Sequence, residues 1–310
     1  MNSIYPLFNA LSDCYRSIKH IINKLPNYVD YPIDNKLYYG DIYISIGIAT
    51  SGDVKLKIGG EQSHTYIVGN TGSGKSNLIR VITSTLINNY PNVSLVLYDY
   101  KRCELSLFAN VNNCIDFQWD SEAITNGINN LYQEVLNRYD YLASKGLIQA
   151  EYTLKPIVCI IEEISLMDKQ TMKILKKLMS ISRAVKVYCI ITLQRVSNDN
   201  LDNTIKSLVS NRLVLKVEDK KNSMIALDTE GAELLKGNGN GIYKTNGKMI
   251  EFQGYYISDE QVAEIVSKHS NNQRKILFAK TDNNKKAGLN FKPVYKTTNT
   301  NINGEWWDNI

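Results

Sequence analysis

The sequence predicts an α/β protein with a mostly parallel central sheet flanked by helices. Three observations predict it. Short, nearly continuous apolar runs recur along the middle of the chain, amphipathic stretches of helical spacing separate them, and a glycine-rich turn joins the first run to the first such stretch. Strands buried on both faces of a parallel sheet read as unbroken apolar runs rather than as alternation.

The runs His64–Val68, Val93–Tyr98, Ile157–Ile161, Lys186–Leu193 and Arg212–Val217 fit that description and are read as strands. Helices are expected between them. Ser76–Asn89 carries Leu78, Ile79, Ile82 and Leu86 on one side, and Ser121–Lys145 repeats Ile124, Ile128, Leu131, Val135, Tyr139 and Leu142 near i, i+4, i+7. Asp120 or Ser121 can cap the second of these and Gly146 stops it. Gln170–Ala184 and Leu201–Ser210 complete the alternation. Farther on, Gly241–Lys244 and Met249–Tyr256 flank Asn246-Gly247, a hairpin turn signal. Ser258–Ser270 reads as a last helix with Ser258 and Gln261 placed for a capping box.

The flanks differ from this middle. Residues 1–58 form a mixed segment, with an amphipathic helix expected over Tyr5–Leu25 and a hairpin within Lys36–Lys57 turning at Ser51-Gly52. Residues 59–270 hold the alternating pattern. Residues 271–310 are rich in Asn, Lys and Thr, with seven Lys or Arg against three acids, and read as a basic, flexible tail. A nucleic-acid arm and a solvated tail without a role both fit that composition.

Composition narrows the class. The chain has 310 residues, 43% hydrophobic and 22% charged, enough to bury a core and far from a disordered or disulfide-scaffold composition. No apolar run approaches the roughly 20 residues of a spanning helix, and the N-terminus carries no secretory pattern, so a soluble, cytoplasmic protein is expected. The net charge of +5 is compatible with a polyanionic partner and with an ordinary basic enzyme. The five cysteines show no metal-binding spacing, and Cys159 and Cys189 sit inside apolar runs.

The chemistry is concentrated in one segment. Gly69-Asn70-Thr71-Gly72-Ser73-Gly74-Lys75-Ser76 is a complete G-x-x-x-x-G-K-S between a strand and a helix. Glycines let backbone N–H groups converge on phosphate oxygens, and the helix that follows, opening through Ser76 and Asn77, adds its positive end. Lys75 should reach the β- and γ-phosphates of ATP, and Ser76 should ligate Mg²⁺. Glu162 and Glu163 end the run Ile157–Ile161, at the sheet edge where ligands bind in such folds. Glu162 is assigned to the Mg²⁺ side, through a water, and Glu163 to polarising the attacking water. Gln194 closes the next strand; it either senses the γ-phosphate, if the strand order is of the RecA type, or simply caps the strand.

Taken together these segments resemble the FtsK/SpoIIIE family of DNA-translocating ATPases, within the FtsK–HerA group. HTYIVGNTGSGKSNLI is similar to the family's Walker A strand and loop, and Asp99-Tyr100-Lys101-Arg102-Cys103-Glu104-Leu105-Ser106 resembles its D-P-K-x-x-E-L-S segment. PIVCIIEEISLM is similar to the Walker B strand, Thr192-Leu193-Gln194-Arg195 to A-T-Q-R, and Asp228–Leu235 to the late D-x-x-G-A-E-x-L motif. Glu162 stands where the family has Asp, Tyr100 and Val196 where it has Pro, and Ala184-Val185-Lys186 where it has a glycine-containing turn.

The resemblance implies a RecA-like P-loop NTPase and an ATPase that moves double-stranded DNA through a homohexameric ring, with largely sequence-independent contacts. It also implies an arginine supplied from the neighbouring protomer, for which Arg183 and Arg212 are candidates, although either could be a surface ion-pair residue. Lys173, Lys176, Lys177, Lys216, Lys220 and Lys221 are candidates for the DNA backbone. Compact chains of this kind are similar to transfer ATPases of conjugative and mobile elements, which implies recruitment by a relaxase or another protein. Two alternatives remain: a DNA-binding scaffold in which ATP is an assembly switch, and a small-molecule P-loop kinase.

Overall fold

In the computed structural model, residues 25–148 and 154–270 are described. All but the last residue of the helix expected over Tyr5–Leu25 lies outside them, as does the tail at 271–310. One ten-stranded sheet organises these residues. Its strands are β1 (Ile42–Ala49), β2 (Gly52–Ile58), β3 (Thr65–Val68), β4 (Ser94–Asp99), β5 (Cys114–Gln118), β6 (Ile157–Glu162), β7 (Val187–Leu193), β8 (Asn211–Leu215), β9 (Asn240–Thr245) and β10 (Lys248–Gly254). The spatial order is β2-β1-β10-β9-β8-β3-β7-β6-β4-β5.

Six strands, from β8 to β5, run parallel. The four from β9 to β2 continue the sheet antiparallel. The hairpin assigned by sequence to the 1–58 segment is therefore hydrogen-bonded to β10 and extends the same sheet. The parallel part has the RecA order, with the phosphate-loop strand β3 beside β7 and β7 beside β6.

The helices are α1 (Lys75–Asn89), α2 (Ser121–Ser144), α3 (Lys169–Ile181), α4 (Asn203–Leu208), α5 (Lys220–Leu227) and α6 (Asp259–Lys268). Alternate residues of the parallel strands feed two cores. Tyr66, Val68, Tyr98, Cys159, Ile161 and Cys189 pack with α2 and α3 on one face. Ile67, Leu95, Leu97, Val158 and Ile160 pack with α1 and α6 on the other.

Each helix start has a physical cause. Asp120, Asp168, Asp202 and Asp219 accept backbone N–H groups at the starts of α2 to α5, and Ser258 with Gln261 forms the expected capping box of α6. Among the described α-helices, α1 is the one whose start has no side-chain cap. Its first N–H groups are left for another partner.

Differences from the sequence reading are local. β5 was not expected, because CIDFQ is an edge strand, half-buried and carrying an acid, so it lacks the apolar run of its neighbours. Eight-residue α5 was hidden by its opening Lys-Lys-Asn-Ser. The helix expected to reach Ala184 ends at Ile181 and tightens into a 3₁₀ turn over Ser182–Val185. Lys186 then takes the left-handed conformation (φ 58°) that a glycine would adopt at less cost. The Asn246-Gly247 turn has positive φ at both residues, as a type I′ hairpin requires.

Candidate nucleotide site

The loop from Gly69 to Gly74 rises between two strand ends that fix its base. Gly69 N–H donates to the Leu193 carbonyl (3.2 Å) at the end of β7, and Asn70 N–H to the Lys216 carbonyl (3.0 Å) just past β8. Thr71 and Gly72 are exposed at its crest, while Ser73 is buried. Gly74 begins α1 in the left-handed region, at φ 97°. The uncapped helix start and the exposed loop together present N–H groups at a positive helix end, the arrangement that binds phosphate.

Three side chains and one main-chain N–H meet behind the loop. Lys75 Nζ lies 3.2 Å from Glu162 Oε1 and 3.4 Å from the Thr192 hydroxyl. Lys75 and Glu162 are an ion pair with side chains only 3% exposed. Thr192 can stand between them because β7 lies between β3 and β6. Its hydroxyl also accepts the Glu163 N–H at 3.1 Å. Burial pushes the Glu162 carboxyl above the usual carboxylate range; the Lys75 ammonium works against that shift, and Asp99 adds to it. Glu162 Oε2 is buried and has no partner among the described residues.

Glu163 follows in the left-handed region (φ 61°), which turns its side chain away from that of Glu162. Its Oε2 accepts from Lys101 Nζ at 2.7 Å, and its Oε1 from the Ser165 hydroxyl and the Gln194 N–H, the latter at 3.1 Å. Burial alone would raise this carboxyl; the Lys101 ammonium and the two other donors outweigh it and hold it below the usual range. An acidic pair adjacent in sequence is thereby split into one carboxyl held against Lys75 and one held against Lys101.

The remaining predicted residues are distributed as follows. Gln194 lines a cleft of about 250 Å³ with Asn70, Thr71, Arg195, Glu218 and Asn222. The Asn77 side chain ties α1 to the segment after β10, donating to the Tyr255 carbonyl and accepting from Ile257 N–H. Ser76 is half-buried in the first turn of α1. Arg183 is exposed in the turn before β7, and Arg212 lies early in β8, so neither joins the loop within this chain. Arg212 is bound to Asp228, which Lys206 and Lys244 also approach. Of the candidate DNA-contacting lysines, Lys176 is paired with Asp202 and Lys220 with Glu230, while Lys173, Lys177 and Lys221 are exposed.

Two features of the site were missed from sequence. One is the Lys101–Glu163 pair, whose members are 62 positions apart. The other is the segment Gly237-Asn238-Gly239, which backs the phosphate loop: Asn238 N–H donates to the Gly72 carbonyl (3.2 Å) and Gly239 N–H to the Ser73 carbonyl (2.7 Å). The alternating glycines of KGNGNG were the available signal. A Cβ on Gly74 would stand 2.4 Å from Gly239 N. Gly74→Ala is therefore expected to weaken ATP binding at least about tenfold, since a left-handed alanine costs about 1–2 kcal/mol before any clash. A nucleotide-binding titration giving the parent affinity would remove this account of the loop.

The donor set fits a hard divalent cation: a half-buried hydroxyl in Ser76 and an unpartnered carboxylate oxygen in Glu162. Among the described residues no group of three or more His, Cys, Asp or Glu could hold a metal ion. Such a cation would need phosphate oxygens or water to complete its coordination.

Comparison with known proteins shows the family and the fold. The FtsK/SpoIIIE family profile matches residues 41–243. A DNA translocase FtsK of Staphylococcus aureus is 27% identical over 277 residues, covering 81% of this chain and 34% of its own length. That of Chlamydia muridarum is 31% identical over 232 residues, 66% of this chain and 29% of its own length. The chain thus spans about a third of the curated relatives it matches. Among solved structures, the pCW3 conjugation coupling protein TcpA, in a monomer form with ATPγS, superposes with a TM-score of 0.68 at 22% identity, over 79% of this chain and 75% of that one. EssC ATPases 2 and 3 of Geobacillus thermodenitrificans give 0.67 at 15% identity, over 79% and 50%. The two structural likenesses concern the fold.

Proposed function

Because the chain belongs to the FtsK/SpoIIIE family, we propose that it hydrolyses ATP to move double-stranded DNA, acting as a motor or coupling ATPase in the cytoplasm. The observation that carries the reading is the convergence of Lys75, Glu162, Thr192 and Glu163 behind one uncapped helix start. In this reading the loop N–H groups and Lys75 hold the β- and γ-phosphates. Glu163 accepts the proton of the attacking water and Gln194 stands beside the γ-phosphate. Ser76 and Glu162 would hold Mg²⁺, which when bound neutralises charge on the phosphate oxygens.

Further parts of the proposal come from the family resemblance. A homohexameric ring would bring Arg183 or Arg212 to the next protomer's phosphates, where an arginine stabilises developing charge. A role in transferring a mobile element, with recruitment by a relaxase or similar protein, belongs to the same proposal; one protein that shares the fold is a conjugation coupling protein. Among the described residues no helix is long and apolar enough to cross a membrane.

A second reading, ATP as an assembly switch with little turnover, is favoured by one observation: Glu163 is held by three donors. Steady-state hydrolysis with and without linear duplex DNA separates the two. The motor predicts turnover that duplex DNA raises several-fold and that falls with added salt, as phosphate contacts require. Assembly on ATP without turnover under any of these conditions would leave the switch.

A further inference from the structure

The D-Y-K-R-C-E-L-S segment has an evident structural task and one side chain that exceeds it. Asp99, at the end of β4, accepts the N–H groups of Lys101 (3.0 Å) and Leu105 (3.1 Å), which closes the turn on itself. That closure needs only the backbone of Lys101. Its side chain instead runs inward to Glu163, and the pair spans two environments: the lysine side chain is 29% exposed and the glutamate 4%. Arg102 beside it is exposed, left-handed at φ 55°, with its guanidinium over the Trp119 ring. The turn therefore presents two cations in sequence, one of which ends on the carboxylate assigned to water.

A carboxylate can accept a proton from water only through an oxygen with a free direction. Ser165 and Gln194 fill both directions of Oε1 and Lys101 one of the two on Oε2, so the single direction left for water lies beside the ammonium. Removing Lys101 would free one oxygen without disturbing the two donors that keep the side chain in place. Lys75, across the site, engages Glu162 and leaves Glu163 to this second lysine.

We propose that Lys101 is a positioning residue that holds Glu163 in a resting pose, and that duplex DNA phosphates drawing its ammonium toward the surface release the carboxylate to water. The first half concerns ATP turnover by this chain; the second rests on the DNA-motor reading above. Phosphate is the chemistry that competes for an ammonium already partly in solvent next to an exposed guanidinium.

The test uses the full chain, as the parent and as Lys101→Met and Lys101→Arg, with ATP turnover measured with and without linear duplex DNA and ATP affinity measured by direct titration. Lys101→Met is expected to raise the DNA-free kcat at least threefold with KM and ATP affinity within twofold of the parent, and to bring DNA stimulation close to one. Lys101→Arg, which keeps a cation on Glu163, is expected to restore the low DNA-free rate. A DNA-free kcat in Lys101→Met that is equal to or below the parent's overturns the proposal, because a lysine that merely props the site would lower turnover when removed. A parent that DNA does not stimulate removes the motor reading, and the DNA-free comparison still decides the role of Lys101.

Discussion

Lys75→Ala is expected to abolish ATP turnover and also to destabilise the protein. The first effect follows from losing the ammonium behind the loop, at the point where the β- and γ-phosphates would lie. The second follows from burial. Lys75 and Glu162 have side chains 3% exposed and face each other at 3.2 Å, so deleting one leaves the other's charge stranded. Breaking a buried pair in this way costs about 3–5 kcal/mol.

Glu162 can relieve part of that cost by taking up a proton. Its carboxyl already lies above the usual range through burial, and without the lysine that opposes the shift it should rise further. The sign follows from linkage. An acid whose folded-state pKa is raised contributes stability at low pH and loses it as pH climbs through the raised value. The melting-temperature gap between parent and Lys75→Ala should therefore narrow as pH falls from 8 toward 5. Adding Glu162→Gln to Lys75→Ala should recover most of the lost stability but none of the turnover. A single variant as stable as the parent at pH 8 would show that the pair carries no such cost.

Glu163→Gln is the second large effect, and it should be of the opposite kind, with chemistry lost and fold kept. Removing a general base slows the chemical step by about 10²–10⁴-fold. The amide keeps an oxygen for the Ser165 hydroxyl and the Gln194 N–H, but then turns its NH₂ toward Lys101, which cannot accept from it. Lys101 is partly in solvent and can turn outward, so the thermal midpoint should move by a few degrees at most. Nucleotide affinity should stay within a few-fold of the parent, since the Glu163 carboxylate is bound to Lys101, Ser165 and Gln194 rather than to Lys75. Hydrolysis at the parent rate would place the base elsewhere.

The parts of this site that follow chain order are legible in the amino-acid sequence. A strand, a glycine-rich turn and a helix in succession predict the loop. Ile157–Ile161 followed by two acids predicts the opposing edge, and the strand order puts Thr192 and Gln194 between them. What sequence could not supply were contacts decided by crossing chains. Lys101 lies in a motif whose sequence does not say which acid it meets until β4 is found beside β6, and Gly237–Gly239 looks like an ordinary loop until it lies under Gly72 and Ser73. Glu162 and Glu163 can be given separate roles from sequence, but not separate partners, because the sequence does not show the left-handed backbone at Glu163 that turns them apart.

The backing of the phosphate loop has a mechanical corollary. Two main-chain amides, rigid by comparison with any side chain, bolt the crest of that loop to the root of β9, and β9 is laced through β10 to the outermost pair of strands. A shift of the crest by an ångström must either carry this wing along or snap both bolts. Binding energy gathered at the middle of the sheet thus has a stiff lever to its β2 edge.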